Sequence, residues 1–76
     1  MPRLICTYER FLEIITENGF LLHRHDGGSH RRYRGVHSGH VWLVDVTPHN
    51  WKDEIPTGTL KSMIRQCGLS HKLFRK

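Results

Sequence analysis

Two segments near opposite ends of the chain repeat one spacing. Tyr8, Phe11, Leu12 and Ile15 fall at i, i+3, i+4 and i+7, and Leu60, Met63, Ile64 and Cys67 follow the same intervals. On a helix of 3.6 residues per turn, each set forms one apolar stripe. Glu9, Arg10, Glu13 and Glu17 take the other side of the first helix. An apolar stripe must be buried against another element, and the sequence between the helices supplies one. Residues 40–46, HVWLVDV, are rich in β-branched and aromatic residues and read as a strand, with Trp42, Val44 and Val46 on one face and Val41 and Leu43 on the other.

Local punctuation frames these elements. Thr7 is a candidate N-cap for the first helix, and Asn18-Gly19 is a stop, since glycine adopts the left-handed conformation without steric cost. Residues 20–24 read as a first strand, HDGG as a turn, residues 30–34 as a second strand and GVHSG as the next turn. Connections this short favour antiparallel neighbours, because a parallel crossover needs about a dozen residues or more. The prolines of TPHNWKDEIP exclude a helix or central strand there, so the second helix begins near Thr57 or Thr59 and ends at Gly68. The tail LSHKLFRK reads as a short turn capped by Ser70. This order predicts an α+β sandwich, helix-strand-strand-strand-helix, with a three-stranded antiparallel sheet and both helices on one face.

A chain of 76 residues accommodates one small domain, 1–76, of modest stability. Apolar residues make up 37%, and the seven glycines bring the total close to the globular share of about 45–50%, which argues against disorder. No stretch approaches the roughly 18 apolar residues of a membrane span, and MPRLICTYERF lacks the apolar core of a signal peptide, so a cytoplasmic protein is expected. Cys6 and Cys67 have neither a C-x-x-C spacing nor the density of a disulfide scaffold, and read as small core residues.

Twelve Lys and Arg against seven Asp and Glu leave a net charge of +5 and a pI near 9.8. That pI exceeds the threshold of about 9 typical of nucleic-acid binders, so the chemistry points to a polyanion. Seven histidines add further positive charge in acid, so RNA or DNA binding is expected to tighten as pH falls. The charge is concentrated after one loop. In GGSH, residues 27–30, the glycines let the backbone approach a phosphate and Ser29 adds a hydroxyl. Arg31, Arg32 and Arg34 follow His30 at once, suited to phosphate oxygens. RNA carries its own nucleophile, the 2′-hydroxyl, so cleavage needs mainly a base and cations, and general acid–base assistance is worth about 10²- to 10⁴-fold. A turn histidine beside a solvated basic strand fits the same residues.

The remaining polar residues are less organised. Lys61 and Arg65 lie four apart on the polar side of the second helix, within reach of an RNA backbone or simply solvated. His23 and His25 alternate along the first strand and so share a face, and His37 and His40 flank a turn. Zinc requires three or four ligands at organised spacing, so no metal or cofactor is expected. His49 either supports the site or ends a strand. Trp51 offers a surface for base stacking, and Trp42 reads as core.

Three pieces of the sequence carry a family resemblance. NGFLLHRHDGGSH (18–30) matches a Gly-Phe strand running into a Gly-Ser-His loop, VTPHN (46–50) a Pro-His after the third strand, and GTLKSMIRQCGLS (58–70) a Gly-Thr-Leu helix. The chain resembles the HicA family of bacterial toxins, small mRNA interferases with a double-stranded-RNA-binding-domain-like fold. The resemblance implies that His30 is the catalytic histidine, acting on mRNA without metal, and that a HicB-type antitoxin covers it. Gly28, Ser29, Arg31, Arg32, Arg34 and Lys61 are the expected RNA contacts. Arg31 and Arg32 depart from the family pattern, which usually has an apolar or uncharged polar residue after the histidine. A non-catalytic RNA-binding module is the alternative, and a domain that binds only an acidic protein is a third.

Overall fold

The computed structural model describes residues 4–25, 27, 28 and 30–75. Helix α1 (Tyr8–Glu17) begins where Thr7 Oγ1 accepts the Arg10 amide at 3.1 Å. It ends at Asn18, whose side-chain amide donates to the Ile14 carbonyl at 2.8 Å, and at Gly19, which has φ +90°. The first-turn amides of Tyr8 and Glu9 donate to the carbonyls of Asp53 and Trp51 at 3.1 and 2.8 Å. The loop after the sheet thereby satisfies donors that a helix start leaves open.

Strands β1 (Leu21–His25), β2 (Arg31–His37) and β3 (His40–Val46) form an antiparallel sheet in the order β1-β2-β3. Helix α2 (Thr57–Cys67) follows, ending at Gly68 in the left-handed conformation, and a short 3-10 helix (His71–Phe74) is capped by Ser70. The arrangement is the α+β sandwich expected, with both helices on one face. Tyr33, Val44 and Val46 of the sheet share one core with Phe11, Ile14 and Ile15 of α1 and with Leu60, Met63, Ile64 and Cys67 of α2. Cys6 and Cys67 are both buried and unbridged. Among the described residues no helix is long and apolar enough to cross a membrane.

Three local readings are corrected. Phe20 precedes β1 instead of starting it: its amide donates to the Ile15 carbonyl at 2.9 Å and its ring is fully buried. Strand β2 runs on through Gly35 to His37, and the turn is only Ser38-Gly39, both at positive φ (53° and 75°). Gly35 marks a close approach and not a turn, because the Phe20 ring lies over it, 2.6 Å from where a Cβ would stand. Strand β1 carries a bulge between Leu22 and Arg24, so Leu22 pairs with Tyr33 and Arg24 with Arg32. The unbroken alternation that put His23 and His25 on one face does not hold.

The hairpin is tied to α2. The His37 ring stacks on Trp42 at 5.0 Å, its Nε2 lies 2.8 Å from the Cys67 carbonyl, and Trp42 packs on Gly68. The opposite sheet face is open to solvent. Leu21 and Leu43 flank Arg34 there, and Val36 pairs with Val41, all four apolar side chains exposed.

Candidate active site

The β1–β2 loop delivers His30 to the first position before β2. Gly27 and Gly28 both have positive φ, +85° and +57°, which L side chains rarely adopt, so this bend depends on glycine. The His30 amide donates to the Gly27 carbonyl at 3.4 Å. From β1, His25 Nε2 lies 3.1 Å from the Gly28 carbonyl, a hydrogen bond with the ring donating. The loop is therefore held from both sides, and the His30 side chain is exposed.

His30 opens onto a recess of about 570 Å³ that it shares with Arg24, Arg31, Arg32, Asp45 and Thr47. Among the described residues, three arginines and one carboxylate line it. The bulge sets Arg24 opposite Arg32 on the outer sheet face, and on the other side Arg32 faces Asp45. Arg32 Nε donates to Asp45 Oδ1 at 2.8 Å, and the Asp45 backbone amide donates to Gln66 Oε1 of α2 at 3.0 Å. Arg31 also lies against an aromatic ring, with its guanidinium carbon 5.2 Å from the centre of the Trp51 ring. Next to it, burial pushes the Tyr33 hydroxyl above its ordinary pKa, against the opposing charge of Arg31. Such a recess can hold a phosphate diester between cations and bring an imidazole to it.

The sequence model of the HicA toxin of bacterial toxin–antitoxin systems matches residues 8–69 of the 76. The chain belongs to the HicA family. No curated protein and no solved structure matches. Membership makes this HicA chain the toxin of a toxin–antitoxin system, with a cognate antitoxin as partner. The match covers every element from α1 to α2 and stops short of the 3-10 helix.

Of the residues expected at the site of this HicA toxin, His30, Arg31 and Arg32 come together in one recess, and Gly28 lies in the loop beside it. Ser29 lies outside the described residues. Arg34 lines a separate hollow with Leu21, Leu22 and Val36, on the outer sheet face. Lys61 lines another, with Leu4, Glu54 and Thr57. His49 is exposed. Arg24, Asp45 and Thr47 were not expected. Asp45 was within reach of the sequence: with the turn set at Ser38-Gly39, counting back along the hairpin pairs Arg32 with Asp45. Arg24 had no such signal, since only the bulge brings it opposite Arg32.

Proposed function

We propose that this HicA toxin, acting as one domain in the cytoplasm, is an endoribonuclease that cleaves single-stranded or loosely structured mRNA with His30 as its catalytic base. One observation carries the reading: an exposed imidazole opens onto the same recess as three arginines. His30 takes the proton of the 2′-hydroxyl, the 2′-oxygen bonds to phosphorus, and the bond from phosphorus to the 5′-oxygen breaks. The departing oxygen takes a proton from solvent. Arg24, Arg31 and Arg32 neutralise the charge that develops on the phosphoryl oxygens. Gly28 lets the loop backbone approach the phosphate, and Ser29 adds a hydroxyl to bond it. Arg34 and Lys61, outside the recess, meet flanking phosphates. The base and the cations suffice because the substrate brings its own nucleophile. The partner is a HicB-type antitoxin that silences the toxin by covering His30.

The test is cleavage of end-labelled RNA by purified protein with chelator present, beside the His30→Ala variant. A loss of about 10²- to 10⁴-fold with an unchanged circular dichroism spectrum is expected. A rate unaffected by the substitution removes His30 from the chemistry. Wild-type protein that binds RNA and leaves it intact is a binding module.

A further inference from the structure

Beyond the histidine, the strand and the loop that follow it hold a second device. Arg31 and Trp51 come from different parts of the chain, and the guanidinium carbon of the first lies 5.2 Å from the ring centre of the second. Both side chains are half-buried. The position of Trp51 is set from α1 and not from the sheet. Its carbonyl accepts the Glu9 amide at 2.8 Å, the Asp53 carbonyl accepts the Tyr8 amide at 3.1 Å, and the Ile55 amide donates to Cys6 at 2.8 Å. Asn50 closes the loop on itself, its side chain accepting the Lys52 amide at 2.9 Å and its carbonyl the Asp53 amide at 3.1 Å. The ring is thus a fixed platform beside Arg31, which itself lines the His30 recess.

We propose that Trp51 is a positioning residue: its indole face holds the Arg31 guanidinium so that its donors are presented to an RNA phosphate in the recess. The inference rests on the reading of the recess as an RNA site. A guanidinium stacked on an aromatic face uses only its π surface, and its N–H groups remain in plane to grip phosphate oxygens. An arginine without a platform must lose rotamer freedom when it binds. The neighbouring Arg32 contrasts with it. Arg32 shares its charge with the Asp45 carboxylate at 2.8 Å, whereas the ring beside Arg31 is neutral and leaves that charge undivided.

The experiment uses a short 2′-O-methyl single-stranded RNA, which lacks the attacking hydroxyl and stays intact, with binding followed by fluorescence anisotropy across a salt series. Trp51→Leu is expected to weaken binding roughly 2- to 30-fold, the range of a cation–π contact from exposed to desolvated. It should also flatten the slope of log K against log salt by about 0.7, one phosphate contact on a single strand. Trp51→Phe, which keeps a smaller ring and guards against a folding defect, should fall between leucine and wild type. In an Arg31→Ala background, Trp51→Leu should change nothing further. A residue needed only for folding would lower the melting temperature and leave the slope alone. Wild-type affinity and slope in Trp51→Leu, or an undiminished effect in the Arg31→Ala background, overturns the inference by itself. Wild-type protein with no RNA affinity at low salt overturns the RNA reading and this inference together.

Discussion

Gly35 stands beneath the fully buried Phe20 ring, and replacing it with alanine pits two effects of opposite sign against each other. A Cβ at this position would lie 2.6 Å, 2.7 Å and 2.7 Å from Phe20 Cδ1, Cε1 and Cγ. Ordinary carbon contacts are about 3.5–4.0 Å, so the ring has to retreat by roughly 1 Å. Phe20 is 0% exposed, so its ring would have to move within the core. Such overpacking costs about 1–3 kcal/mol. Gly35 is not among the glycines at positive φ, so alanine fits its backbone and gains roughly 0.4–1 kcal/mol by restricting the unfolded chain. The net is a loss on the order of 1–2 kcal/mol. For a domain of this size that is a melting temperature lower by about 4–16 °C. Thermal melts followed by circular dichroism measure it, and a guanidinium titration gives the free energy. Pairing Gly35→Ala with Phe20→Leu, which makes room, should recover part of the loss, and the double-mutant cycle should give a coupling of about 0.5–3 kcal/mol. A Gly35→Ala protein that melts at or above the wild-type temperature would refute the close approach, because alanine would then show only its entropic gain.

Two further outcomes test the electrostatics. Asp45→Asn takes the only carboxylate described in the His30 recess away from its arginines. Because the Arg32–Asp45 pair is about half exposed, with side chains 46% and 53% accessible, stability should change by no more than about 1 kcal/mol, while RNA binding at low salt tightens; weaker binding by anisotropy would contradict a phosphate in that recess. Burial pushes the Cys6 thiol from its ordinary 9.0 up to about 11, with Arg10 opposing the shift and Glu13 adding to it. The native state then keeps a proton that the unfolded chain loses above pH 9, so this contribution is intact below pH 9 and is lost as pH rises toward 11, by at most about 3 kcal/mol. The Cys67 thiol is raised by burial in the same direction. Guanidinium titrations at neutral pH and near pH 11 check this, and equal stability at both would show the thiols to be solvated.

Much of the architecture was legible because it is periodic. The two helical stripes, the Thr7 cap, the Gly68 stop and strand 40–46 are each set by residues close in sequence, so local sterics and burial decide them. The loop histidine and the arginines behind it were legible for the same reason. The tail was read as a turn, and Ser70 does cap it, but Phe74 also enters the core and stacks on Phe11 at 5.0 Å. One aromatic residue in a polar tail has no period to announce it.

What the sequence determined by itself was which segments bury a face and which loop bends through glycine, because backbone conformation and apolar spacing act over a few residues. The tertiary structure alone decided what meets what. A bulge at His23 sets Arg24 opposite Arg32, a two-residue turn sets Asp45 against Arg32, and the caps of α1 hold Trp51 under Arg31. Each of these depends on a shift of one residue or on a hydrogen bond between distant segments. The cost of either is settled only when the whole core packs.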